Sequence, residues 1–238
     1  LTGKKALLRL KPSAMRLSRK RILDITGLGM SGFTMSITNS SVQVMYNALL
    51  QSYGGDLYVG VMTVINSVRE VISMPVQGVT QSAQPILGYN YGAGEYGRVK
   101  KGIIFTSVVS IVYTFLIWSA VHGFPEFFIR IFNREGDLVE AGIPAMRVYF
   151  FGFFMMSLQF AGQAVFVGLG KAKRAVFFSI FRKVIIVIPL MILLPVLFGL
   201  GTTGVLMAEP ISNFIGGIAC FATMLVTVWP ELSGQKKR

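Results

Sequence analysis

The chain has 238 residues, of which 53% are hydrophobic and 14% charged, with a mean hydropathy of +0.63 and a net charge of +13. A soluble domain is about a quarter charged, so this balance excludes an ordinary globular fold and points to an integral membrane protein. The cations stand in short clusters between apolar runs, which excludes a nucleic-acid-binding face, and a single cysteine, Cys220, excludes an internal disulfide or a CxxC metal site.

Residues 1–23 read as a basic connector. Eight Lys/Arg and no acid fall within 1–21, punctuated by leucines and Met15. Two forms fit this pattern: a basic amphipathic helix on anionic lipid, or a solvated linker. The opening is basic and is not that of a signal peptide.

Six apolar stretches follow, each near the roughly 20 residues that cross a bilayer. They run over 25–50, 58–87, 102–121, 143–168, 175–198 and 203–228. Gly199, Gly201 and Gly204 interrupt an otherwise continuous apolar run and set the turn between the last two. A basic tail closes the chain at 231–238, leaving 24–230 as one transmembrane bundle.

Cation counts predict the orientation. The connector, the loop after the second span (Arg98, Lys100, Lys101), the loop after the fourth (Lys171, Lys173, Arg174) and the tail carry most of the Lys/Arg. The first and fifth loops carry none, and in the third Arg130 and Arg134 are offset by four acids, in a pattern that suits a surface helix. Both termini are therefore expected on the cytoplasmic side of a multi-pass protein of the cell inner membrane. His122, in a predicted turn, is expected to be solvated or interfacial.

Polar side chains inside the spans are the candidate functional residues, because amides and charges facing lipid are costly. In the second span Thr63, Asn66, Arg69, Glu70, Ser73, Gln77, Thr80, Gln81 and Gln84 fall within an arc of about 120° on a helix. The first span aligns Asn39, Gln43 and Asn47, the fourth holds Gln159 and Gln163, and the sixth aligns Glu209, Ser212, Asn213, Gly216 and Cys220. The Ser, Thr and Gly positions also suit hydrogen-bonded helix packing, whereas Arg69, Glu70 and Glu209 call for water or a partner. Arg182 and Lys183, about two turns into the fifth span, are expected to snorkel to the interface. Pro189 and Pro195 are expected to bend that span.

Two short motifs carry no chemistry here. Gly27-Leu28-Gly29-Met30-Ser31-Gly32 fits GxGxxG but opens a membrane span with no strand before it, and Asn39-Ser40-Ser41 is a glycosylation sequon placed inside a span. No P-loop, zinc motif or His-based nucleophile arrangement occurs, so an enzyme is not expected.

Between the second and third spans stands Gln84-Pro85-Ile86-Leu87-Gly88-Tyr89-Asn90-Tyr91-Gly92-Ala93. This stretch resembles the signature at the cytoplasmic end of one span in multidrug and toxic compound extrusion (MATE) transporters. Tyr53-Gly54-Gly55-Asp56, the run Val165 to Ala172, and Arg182, Pro189, Pro195, Phe198-Gly199 with Ala208-Glu209-Pro210-Ile211-Ser212-Asn213 extend the likeness over 22–230. The resemblance implies an all-α membrane protein whose six transmembrane helices form one bundle, the C-terminal half of a twelve-helix transporter. Its expected partners are the N-terminal six-span half, membrane lipids and small cationic or amphipathic compounds, with no nucleic acid. It implies drug efflux by alternating access, with Na+ or H+ as coupling ion and no resident cofactor. Asn39, Gln43, Asn66, Arg69, Glu70 and Gln77 are the substrate candidates. Glu209 is the ion-coupling candidate together with Asn213, where many relatives carry an acid. The alternatives are a polyisoprenoid-lipid or polysaccharide flippase of the same superfamily, whose cavity would be lined by cations, and a non-transporting membrane scaffold.

Overall fold

Long apolar stretches must satisfy their backbone groups internally, and helices do this without a partner strand. The computed structural model describes residues 18–234, and its described elements are all helical. The predicted connector falls outside these residues over 1–17 and the tail over 235–238. The first helix, α1, already starts at Arg19 and the last runs to Gly234, so both reach into the segments drawn as connector and tail.

The chain continues from α1 (Arg19–Gly92) to α2 (Tyr96–Gly123), α3 (Pro125–Phe132), α4 (Gly136–Phe150) and α5 (Phe153–Gly168). Next come α6 (Ala172–Ile180), a π-helical segment (Phe181–Val187), α7 (Ile188–Phe198) and α8 (Gly201–Gly234). By length and composition Ser36–Gly92, Tyr96–Gly123, Ala172–Phe198 and Gly201–Gly234 can each cross a membrane. The α4–α5 pair, bent by 45°, forms a fifth, broken span.

The first of these stretches is two spans. As one straight helix its 57 residues would measure about 85 Å, nearly three bilayer cores. Gly55, at φ 67° and ψ −164°, breaks the helical path with a conformation that only glycine adopts at low cost. The chain folds back there: Asn39 and Gln77, which a straight helix would hold about 57 Å apart, line one cavity. Two limbs of α1, α2, the bent α4–α5, the α6–α7 span and α8 make six crossings.

Two differences from the sequence reading have local causes. Pro85 and Gly88 do not end the second limb, which continues to Gly92 and leaves only 93–95 as a turn. Gly88 instead lets helices meet, since a Cβ there would lie 2.8 Å from the Gly168 carbonyl oxygen. The fourth span is also broken at Phe151–Gly152, where a Cβ on Gly152 would meet the Pro210 carbonyl oxygen at 2.8 Å. Close contact with α8 at this point requires the glycine. His122 is half-buried, its ring 4.8 Å from Trp118, and α3 carries the exposed Arg130–Glu126 pair at 2.7 Å.

The turns gather at opposite ends. Gly54 meets Thr202 beside the α7–α8 turn. At the other end Tyr91 donates to Glu231, which also pairs with Lys171, while Lys100 donates to Ser233 and Arg174 to Thr227. One apolar core, with Tyr46, Met62, Ile65, Phe150, Met191 and Leu206, fills the Gly55 half of the bundle. A second, with Leu87, Ile103, Phe166, Cys220 and Met224, fills the basic half. Outward faces stay apolar, as Phe105, Leu116, Val196 and Phe198 on α2 and α7 show, which suits lipid and not water.

Candidate substrate cavity and its buried ion cluster

Between the two limbs of α1, the α4–α5 span and the π segment lies a polar cavity of about 390 Å³. The limbs of α1 contribute Asn39, Gln43, Arg69, Glu70 and Gln77 to its wall. Each sits on a polar stripe, and the hairpin at Gly55 turns the two stripes toward one another. Gln43 donates to Asn47 at 3.4 Å within its own helix. Tyr46, Ser73 and Tyr149 complete the polar wall, with Met156 and Phe160 supplying apolar surface. A small-molecule site has this character: a few convergent polar groups set against aromatic and aliphatic walls.

Asn66 departs from the sequence reading. It lies one turn nearer the Gly55 end, does not line the cavity, and keeps its Oδ1 buried without a hydrogen-bond partner among the described residues. An arc of about 120° with a length of several turns is larger than the mouth of one cavity, so the stripe includes positions that face only other helices.

Arg182 and Lys183 also depart from it. They do not snorkel outward; both line the cavity and are 7% and 6% exposed. Arg182 Nη1 donates to Glu209 Oε1 at 3.0 Å and to Asn213 Oδ1 at 2.6 Å. Lys183 Nζ donates to Glu209 Oε1 and Oε2 at 3.1 and 3.2 Å. Glu209 and Asn213, each 2% exposed, thus form a layer behind the cavity and do not open onto it. Buried charges persist when they are paired and hydrogen-bonded, and this cluster meets that condition for its carboxylate.

Local sequence explains how two cations reach one carboxylate. Pro189 has no N–H for the carbonyl four residues back, and its ring crowds that carbonyl. The turn before it is wound as a π-helix over Phe181–Val187, and that wider turn carries Arg182 and Lys183 inward. Room is made across the interface by Gly216, where a Cβ would lie 2.8 Å from Arg182 Cγ. Sequence reasoning missed these two cations as site residues. The available signal was a charged pair placed a few residues before a proline inside an apolar span.

The opposite charges of Arg69 and Glu70 are adjacent in sequence, and no ion pair to either is found among the described residues. Among the described residues the buried Tyr46 Oη, Ser73 Oγ and Arg182 Nε have no hydrogen-bond partner.

Comparison with known proteins fits this geometry. Residues 32–193 match the MatE family. The MATE multidrug transporter DinF-BH, solved in complex with rhodamine 6G, is 30% identical, superposes with a TM-score of 0.79, and is matched over 92% of this chain and 48% of its own. MATE in the bent conformation shares 17% identity at a TM-score of 0.85, over 98% of this chain and 50% of that one. A multidrug resistance MATE family transporter of the MOP superfamily, caught facing outward, shares 17% identity at a TM-score of 0.84, over 98% and 51%. No curated protein matches. This chain spans about half the length of the solved structures it resembles. It is a multi-pass membrane protein, and it belongs to the MatE family of transporters.

Proposed function

We propose that this chain is the C-terminal lobe of a multidrug efflux transporter that exchanges its substrate for Na+ or H+ by alternating access. The observation that carries the reading is the polar cavity walled by Asn39, Gln43, Arg69, Glu70 and Gln77 inside an otherwise apolar bundle. The N-terminal six-helix half supplies the facing wall, consistent with a chain that spans half of its solved relatives. Small amphipathic compounds enter between the lobes, with aromatic and aliphatic walls taking the apolar body and the amides its polar groups. Asn66 keeps a supporting position on the same stripe. Both termini lie in the cytoplasm of a cell whose inner membrane holds the transporter, following the clusters of Lys/Arg.

Ion coupling is assigned to Glu209 and Asn213. A proton on Glu209, or a sodium ion between its carboxylate and the Asn213 carbonyl, competes with Lys183 and Arg182 for the same oxygens. Release of either cation changes the charge of the cavity wall. This links ion binding to substrate binding, because a ligand shifts an equilibrium only through its different affinity for the two states.

The test is efflux of rhodamine 6G from a drug-sensitive host expressing the full-length gene, with Glu70→Gln and Glu209→Gln compared with wild type at equal expression. Both substitutions are expected to slow efflux severalfold. Unchanged efflux in both removes these acids from the mechanism.

A further inference from the structure

The side of the lobe turned away from the cavity carries a groove of its own. On α4, Arg147 lies about 200° round the helix from the cavity-lining Tyr149, and on α8, Met207 and Ile211 lie about 200° from Glu209. Val148 and Phe151 of α4 with Met207, Ile211 and Phe214 of α8 wall an apolar groove of about 480 Å³. Phe151 is 58% exposed, so the groove opens toward lipid and owes nothing to the facing half of the transporter. Its level is marked by Trp118, whose Nε1 donates to the Phe151 carbonyl at 3.1 Å, since tryptophans gather at the headgroup boundary. Arg147 lines this groove and also an adjoining hollow of about 490 Å³, which it shares with Glu126 and Arg130 of α3. It is exposed, and no ion pair to it is found among the described residues. A lone cation on a lipid-facing surface is costly unless a counter-charge reaches it. On Glu126 the close contacts from Arg130 Nε and Nη2, both at 2.7 Å, fall on Oε1 and leave Oε2 to another donor.

Apolar groove, guanidinium and carboxylate follow one another along this surface in the order of an acyl chain, a phosphate and an ammonium. We propose that the groove binds one phospholipid with a primary-amine headgroup, of the phosphatidylethanolamine class, its acyl chain against Phe151, Ile211 and Phe214, its phosphate on Arg147 and its ammonium on Glu126. The guanidinium fork matches two phosphate oxygens. A primary ammonium brings three hydrogen-bond donors to the carboxylate, whereas a choline brings none and a glycerol headgroup no positive charge. Glu126 repels the net charge of an anionic lipid and so sets the preference. Bound there, the lipid bridges α3, α4 and α8 beside the break at Phe151–Gly152 and steadies the bent span from outside.

The experiment uses the full-length transporter in dodecyl maltoside and native mass spectrometry to measure the affinity of the first bound lipid. Dioleoyl phosphatidylethanolamine, phosphatidylcholine and phosphatidylglycerol are titrated separately. Wild type is expected to bind phosphatidylethanolamine severalfold more tightly than the other two. Arg147→Gln is expected to weaken all three by about tenfold, the scale of one hydrogen bond to a charged group. Arg147→Lys keeps the charge and should recover part of that loss, which a misfolded variant would not. Glu126→Gln should abolish the preference for phosphatidylethanolamine while leaving phosphatidylcholine and phosphatidylglycerol bound at least as well as before. The site is overturned if the three lipids bind wild type equally or phosphatidylethanolamine is not the tightest. It is equally overturned if Arg147→Gln leaves the affinities unchanged, or if the preference survives Glu126→Gln.

Discussion

Gly216 is where a missing side chain matters most, because the stem of Arg182 occupies the volume its Cβ would need. Built on the backbone, that Cβ would stand 2.8, 2.9 and 3.0 Å from Arg182 Cγ, Cδ and Cβ. Gly216→Ala is expected to push Arg182 from Glu209 or part α8 from the π segment, at a cost of about 1–3 kcal/mol, read as a lower Tm of the purified protein. An unchanged Tm would mean that the arginine has a second resting place. Glu209→Gln is more severe, since it leaves two buried cations sharing a neutral amide. A loss of about 3–5 kcal/mol is expected, and Lys183→Met in the same background should restore part of it. Recovery of none of that loss in the double variant would show that the carboxylate acts through Arg182 and Asn213 alone. The value of each residue here lies in its partner, and no partner is visible one residue at a time.

Among the elements, the α6–α7 span differs most from a plain membrane helix. Its π segment follows from Pro189, and a π turn advances the register by one residue, about 100° on the helix. Pro189→Ala supplies the missing donor and should let 181–187 return to α-helical winding. Arg182 and Lys183 then rotate away from Glu209. The expected outcome is a variant that expresses as well as wild type but transports poorly; normal efflux would reduce the π turn to a passive kink. The α5–α8 contact is set by absent side chains in a similar way. A Cβ on Gly217 would lie 2.5 Å from the Met155 carbonyl oxygen, and one on Gly162 would lie 3.0 Å from Cys220 Sγ. Helices in lipid gain little from burying apolar surface against each other, so close packing over small residues is what holds such a pair.

At the scale of the whole lobe the two ends are fastened differently. The Gly55 end closes by apolar and small-residue contact beside Thr202, whereas the basic end is tied by polar side chains around Glu231. Tyr91, the second tyrosine of the signature between the second and third spans, reaches the end of α8 there. The signature is therefore a fastening between helices at least as much as a turn. Glu231→Gln weakens the pairing with Lys171 by about 1 kcal/mol, as for a partly exposed ion pair. Trypsin should then cut at Lys171 and Lys100 sooner than in wild type, and identical digestion would show that this end is held by its apolar core instead.

Chain length, hydropathy and the position of glycines decide by themselves that this is a bundle of six crossings with most of its loop cations at one end, because the transfer of each residue into lipid is a local sum that needs no knowledge of neighbours. The same local reasoning finds the polar stripes of the first and second spans, five of whose six singled-out residues line one cavity. It stops at Asn66, and it misreads Arg182 and Lys183 as interfacial. Which polar groups meet depends on how far each helix is rotated about its axis. That rotation is set by the π turn before Pro189 and by backbone contacts at Gly88, Gly152 and Gly217, which join residues far apart in the chain. Only the packed bundle brings two cations onto one carboxylate, because a charge in lipid settles where its partner is, and the partner belongs to another helix.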